Sequence, residues 1–188
     1  MKKSTIIWIV VAAVAVILLI WVIASYNGLV SAEETANEKW STIDVRLTER
    51  ADKIPNLVNS AKLYMNHENE IFDKITEARK ALSSASSIED KIAADQQLNT
   101  AVNQLLAVME SNPEIKADAA VTALMDEVSG AENKISVARK DYNEAVKEYN
   151  SSVRRFPSNI IASLFGFEKM EMYEAAESDR ETPVVPVE

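Results

Sequence analysis

Apolar residues follow two different rhythms along the chain. Residues 6–24, IIWIVVAAVAVILLIWVIA, form one unbroken run without a charge. Such a run comes close to the ~20 residues with which an α-helix crosses ~30 Å of hydrocarbon. Trp8 and Trp21 stand near its two ends, where indole rings favour the membrane–water interface. A cleaved signal peptide has a shorter apolar core followed by a small-x-small site. Here Ser25, Tyr26 and Asn27 follow, so the run reads as a retained transmembrane helix.

Beyond the run, apolar residues recur in helical steps. Leu29, Ala36, Trp40, Ile43, Leu47 and Ala51 form one stripe, with Gly28 as a weak point near the membrane surface. Pro55 lacks an amide and disfavours helix at the residue before it, which predicts a break at Ile54 and Pro55. A second helix is expected over 55–82, along Val58, Ala61, Tyr64, Met65, Ile71, Ile75, Ala78 and Leu82. A serine-rich loop follows at 83–87, where Ser86 or Ser87 can cap a third helix over 88–110 with Glu89 or Asp90 in its first turn. The third helix has an apolar seam of Leu98, Val102, Leu105, Leu106 and Met109, and a weakly apolar first half bearing Asp95, Gln96, Gln97 and Asn99. Ser111, Asn112 and Pro113 end it. A fourth helix, over 117–153, carries the cleanest stripe: Val128, Ala131, Ile135, Ala138, Tyr142, Ala145 and Tyr149, a heptad seam interrupted only by Gly130.

Four amphipathic helices with short connections predict an all-α protein, an N-terminal transmembrane helix followed by an antiparallel up-down four-helix bundle. A three-helix coil with an insert at 83–118 is the alternative. The expected organisation is a flank and anchor at 1–25, the bundle at 26–155, an amphipathic segment at 156–173 and an acidic tail at 174–188. Up-down parity returns the end of the fourth helix to the membrane-proximal end. There Arg154, Arg155, Phe156, Ile160, Ile161, Leu164, Phe165 and Phe167 form a candidate membrane-interface segment, or else a plug that covers the bundle core. Asp52, Pro55 and Asn56 form a candidate partner-binding tip beside the expected turn. Glu49 and Lys53 have the spacing of a helix-surface ion pair.

Charge and composition narrow the function. The formal net charge is −9, and that sign repels phosphate backbones, so nucleic acid is not an expected partner. The chain has no cysteine, which excludes disulfides, thiolate metal sites and thiol nucleophiles. His67 is the single histidine, so a di-iron bundle site, which uses two Glu-x-x-His motifs, is excluded, and a hydrogen-bonding or surface role is expected for it. The three glycines are isolated and form no phosphate loop. No enzyme site, cofactor, metal or small-molecule substrate is expected. Lys2 and Lys3 precede the apolar run, whereas Glu33, Glu34 and Glu38 follow it before any base, which places the amino terminus in the cytoplasm and the bundle outside.

Several segments together carry a family resemblance. They are YNGLV at 26–30, WSTIDVRLTERADKIPNLV at 40–58, YMNHE at 64–68, ITEAR at 75–79, NPEIKA at 112–117, ENKISVARKDYNEAVKEYN at 132–150 and FPSNIIASLFGF at 156–167. In this order and spacing the chain resembles the LemA family of bacterial membrane proteins, from the anchor to Phe167. The resemblance implies a single N-terminal span and an antiparallel four-helix bundle, and it implies no reaction; the expected location is the bacterial inner membrane. Some members are associated with organelle membranes or with membrane proteases, and members with the opposite topology, the bundle in the cytoplasm, are implied as well. The expected function is thus a non-enzymatic scaffold or adaptor that holds another membrane protein or a second copy of itself. A membrane-shaping protein and a ligand-sensing bundle are the alternatives.

Overall fold

The computed structural model describes residues 3–65 and 68–174. His67 and the acidic tail beyond Glu174 lie outside the described residues. Every regular element among the described residues is helical: α1 (Lys3–Ala61), α2 (Asn69–Ser84), α3 (Ile88–Ser111), α4 (Pro113–Ala117), α5 (Ala119–Arg154) and α6 (Ser158–Phe165). Among the described residues one helix, α1, is long and apolar enough to cross a membrane. Its large apolar side chains from Ile6 to Ile20 are solvent-exposed, with Trp8 at 70 % and Ile17 at 65 %.

The expected break at Pro55 is absent. Helix α1 runs through Pro55 to Ala61, and the turn comes after it, where the amides of Tyr64 and Met65 donate to the Ala61 carbonyl. The proline leaves the carbonyl four residues back, that of Ala51, without its helical donor. Arg79 of α2 fills that position, donating from Nε to the Ala51 oxygen at 2.9 Å. The apolar seam also keeps its phase across the proline: Ile43, Leu47, Arg50, Ile54, Leu57 and Ala61 are all buried.

Other helix ends follow local chemistry. The Ser87 side chain caps α3 by accepting from the Asp90 amide at 3.0 Å, with Glu89 and Asp90 in the first turn. Asn112 caps α4 by accepting from Glu114, and Pro113 occupies its first position. Asp118 then receives the first amides of α5, those of Ala120 at 2.8 Å and Val121 at 3.3 Å. Helix α6 ends at Gly166, whose φ of 77° is left-handed, and the Phe167 amide returns to the Ala162 carbonyl.

The chain divides into two compact units, Met1–Trp40 with Asp141–Met172 and Ser41–Lys140 with Tyr173–Glu188. In the second unit the core takes Ile43, Leu47 and Leu57 from α1, Phe72, Ile75 and Leu82 from α2, Leu98, Val102 and Leu105 from α3, and Val128 and Ile135 from α5. Within 83–118, the insert of the three-helix alternative, residues 88–111 and 113–117 are helical and supply part of that core. In the first unit Leu29 and Ala36 of α1 are buried, as are Tyr142, Val146 and Tyr149 of α5 and Ile161 and Ala162 of α6. Trp40 meets the edge of Tyr142 at 5.5 Å between ring centres.

Candidate functional site

The second unit encloses a closed ring of charge. Arg50 is 1 % exposed and Asp95 is 0 % exposed, although both are ionisable. Arg50 gives one guanidinium nitrogen to Asp95 and another to Glu132. Arg139 bridges the same two carboxylates, reaching Asp95 Oδ2 at 2.6 Å and Glu132 Oε1 at 3.0 Å. Tyr173 donates its hydroxyl to Asp95, and the Arg139 guanidinium lies 4.5 Å from the centre of the Tyr173 ring. Two positive and two negative charges thus cancel around a ring that ties α1, α3 and α5 together. Buried ions persist only when paired and hydrogen-bonded in this way. The Nε–H groups of Arg50 and Arg139 are buried without a partner among the described residues.

The environment shifts two of these groups, Tyr173 and Arg139. Burial pushes the Tyr173 hydroxyl far above its ordinary range, and the Asp95 charge reinforces the shift against the opposing effect of Arg139. Burial disfavours the Arg139 cation, but Asp95, Tyr173 and Glu132 outweigh it and hold the guanidinium pKa above its usual value. Every acceptor in the ring is occupied by a cation or a hydroxyl.

The sequence signal for this ring is the seam phase. Arg50 stands three residues after Leu47 and four before Ile54, and Asp95 stands three before Leu98. Both occupy core positions of their stripes. Arg50 lies beside the expected surface pair of Glu49 and Lys53, and Asp95 lies in the weakly apolar first half of α3, yet both are buried. The expected pair of Glu49 with Lys53 is also replaced: Arg46 binds Glu49 at 2.8 Å and Lys53 approaches Glu127 at 3.6 Å. The Arg46 hydrogen bond holds the Glu49 carboxyl below its ordinary range.

Asp52, Pro55 and Asn56 lie within α1 rather than at a turn. Asp52 and Asn56 are exposed and Pro55 is half-buried. The turn beyond α1 has its own polar contact, the Tyr64 hydroxyl donating to Asp118 at 2.6 Å. That bond raises the Tyr64 pKa, and together with the two α5 amides it lowers that of Asp118. Among the described residues no group of three or more His, Cys, Asp or Glu side chains is placed to hold a metal ion.

In the first unit, the chain leaves α5 through Arg154, Arg155 and a cis Phe156–Pro157 bond and enters α6. Ser158 is the first residue of α6, and its hydroxyl turns back to the carbonyls of Ser152 at 2.6 Å and Arg155 at 2.8 Å, serving the end of α5 rather than the start of α6. Ile161 and Ala162 are buried with Leu29, against Trp21, Val22, Val153 and Phe167. Tyr26 stands edge-on to Phe165 at 4.9 Å and to Phe167 at 5.7 Å. Helix α6 is therefore seated on the C-terminal end of the apolar run of α1. Its other side is open, with Phe156 at 76 %, Leu164 at 73 %, Phe165 at 56 % and Ile160 at 48 % exposure. Arg154 and Arg155 are exposed beside it. The candidate interface residues thus divide between a covered face and an open one.

A family model matches this chain over residues 39–186, that of the LemA family. A comparison with curated proteins finds no match. The match covers most of the chain, including both ends of the charge ring and the whole of α6. The chain belongs to the LemA family.

Proposed function

We propose that this LemA-family chain is a single-pass membrane protein of the bacterial inner membrane, built as a helical scaffold or adaptor for other membrane proteins or for a second copy of itself. The observation that carries this reading is α1. Its first turns expose an apolar surface suited to lipid, and the same helix continues without interruption to Ala61, where its seam is buried against other helices. Helices α1, α2, α3 and α5 form the antiparallel four-helix bundle in this reading, and the charge ring holds their register. The carboxylate oxygens of the ring are all taken by its arginines and its tyrosine, which favours a positioning role over catalysis. The charges flanking the apolar run support an external bundle.

Two measurements test it. Affinity purification of the full chain from mildly solubilised membranes should yield one stoichiometric membrane-protein partner or a defined oligomer, and a monomer free of partners would overturn the adaptor role. The cysteine-free sequence makes topology direct to read. A single cysteine at exposed Val137 should react with an impermeant maleimide in intact spheroplasts, and protection until lysis would reverse the orientation.

A second reading concerns the membrane interface. The seating of α6 at the end of the apolar run, with Phe156, Ile160, Leu164 and Phe165 open, favours a helix that lies among lipid headgroups and acts on the leaflet.

A further inference from the structure

A shallow cleft of about 540 Å³ adjoins α6 in the first unit, lined among the described residues by Lys147, Asn150, Ser151, Arg154, Arg155, Lys169 and Met172. Its composition is unusual for this chain. The protein carries a net charge of −9, yet the cleft has four cations and no carboxylate in its lining. None of the four forms an ion pair among the described residues, whereas Lys39, Lys53, Lys74 and Lys91 each lie near a carboxylate. Like charges gathered without counter-charge repel one another, and an arriving anion relieves that repulsion.

The cleft is also built rather than a chance meeting of side chains. Lys147 and Arg154 come from α5, Arg155 follows directly on its end, and Arg154 stands in the last turn, where a cation is favoured by the helix dipole. Lys169 comes from the extended segment after α6. Asn150 pins that segment to α5 through both ends of its amide: Nδ2 donates to the Met170 carbonyl at 2.8 Å, and Oδ1 accepts the Met170 amide at 2.9 Å. The hydroxyl of Tyr142 donates to the next carbonyl, that of Glu171, at 2.9 Å. The loop that contributes Lys169 is thereby held alongside the helix that contributes the other cations.

We infer that this cleft binds the phosphate of an anionic phospholipid, with Lys147, Arg154, Arg155 and Lys169 around the headgroup and the open apolar side of α6 against the acyl chains. The assignment rests on the second reading of α6 as an interfacial helix. Its location argues for lipid over a soluble anion. The cations adjoin a helix seated against Trp21 and Val22, at the end of the apolar run, where headgroups of the surrounding leaflet lie. Basic side chains at that depth attract anionic lipid by an amount that falls off within a Debye length. A basic apron therefore recruits acidic lipid locally although the protein as a whole is acidic.

The test uses the full chain in nanodiscs, one set of phosphatidylcholine and one with phosphatidylglycerol added. Two readouts are taken. An environment-sensitive fluorophore on Leu164→Cys reports whether α6 meets lipid, by quenching from headgroup-depth spin-labelled lipid. Native mass spectrometry of the released protein reports which lipids stay bound. The inference expects quenching in both sets and preferential retention of phosphatidylglycerol by the wild type. Lys147→Gln with Lys169→Gln should lower that retention, by about fivefold for each cation removed, with quenching and helicity unchanged. Quenching without any phosphatidylglycerol preference, or a preference that survives the double substitution and Arg154→Gln with Arg155→Gln, overturns the lipid site and leaves the interfacial helix standing. Absence of quenching overturns the interfacial reading and the lipid site with it. Displacement of the retained lipid by millimolar inorganic phosphate at constant ionic strength would assign the cleft to a soluble anion instead and overturn the inference.

Discussion

Arg79 Nε donates to the carbonyl oxygen of Ala51 at 2.9 Å, the one carbonyl of α1 whose helical donor is removed by Pro55. A guanidinium from the next helix thus closes the gap that proline opens, and α1 passes through a residue that would ordinarily end it. Arg79→Met should cost about 1–3 kcal/mol, the penalty of an unsatisfied carbonyl. In a Pro55→Ala background the amide returns and the same substitution should cost clearly less. A double-mutant cycle from urea unfolding of the full chain in detergent measures the difference. Equal costs in both backgrounds would show that the two residues are not coupled.

Arg50 and Arg139 share Asp95 and Glu132, so removal of one arginine leaves a buried carboxylate short of positive charge. Arg50→Met should destabilise by about 3–5 kcal/mol. Arg50→Met with Asp95→Leu should cost less than the sum of the two single substitutions. Additive costs would mean that the ring is not an energetic unit.

The raised pKa of Tyr173 makes an alkaline prediction. The group is neutral in the fold because burial penalises the phenolate, so its folded pKa lies above its unfolded one. Its contribution is complete below about pH 10 and is lost as pH rises through the interval between the two values. The melting temperature of the wild type should therefore fall as pH climbs from about 10. Tyr173→Phe should melt lower at pH 7 and show a weaker slope in that interval. The slope should shrink rather than vanish, because Tyr64 and Tyr149 are raised as well. An unchanged slope would remove Tyr173 from the alkaline transition.

The opposite holds for Asp118. The Tyr64 hydroxyl and two backbone amides depress its pKa, so its stabilisation is present above about pH 4 and is lost as pH falls through the folded value. Asp118→Ala should flatten the acid limb of the stability curve and fray the start of α5, read by helicity at 222 nm. An acid limb equal to that of the wild type would exclude this carboxyl as a contributor.

The two faces of α6 should respond differently to substitution. Ile161 is 2 % exposed and packs with Leu29, so Ile161→Ala should cost about 2–4 kcal/mol. Leu164 is 73 % exposed, so Leu164→Ser should change stability by less than about 0.5 kcal/mol. Equal losses at both positions would mean that both faces are covered.

Much of this fold is written locally. The α5 seam, the Ser87 cap and the amphipathic stretch of α6 follow from spacing and side-chain type within a few residues. The course of α1 does not. Pro55 outweighs the continuing phase of Ile43, Leu47, Ile54, Leu57 and Ala61 only if its lost hydrogen bond stays lost, and the donor that replaces it lies 28 residues away. Asp95 is read as a polar interruption of α3 for the same reason, since its arginine partners stand 45 and 44 residues away in the chain. Lys169 joins the basic cleft through the Asn150 clamp, which periodicity does not reveal. Seam phase is the signal that was available: a charged residue in phase with a heptad stripe is a candidate for a buried pair.

The scaffold role is tested most directly by photocross-linking in intact membranes. A photoreactive residue is placed in turn at the exposed positions Val45, Leu63, Val137 and Leu164, and adducts are identified by mass spectrometry. The expected result is one dominant protein adduct, a membrane protein or a second copy of this chain, confined to one helix face, with lipid adducts at Leu164. Lipid adducts alone, or protein adducts scattered without preference over all four positions, would contradict a scaffold and leave the chain as a membrane-acting helix bundle.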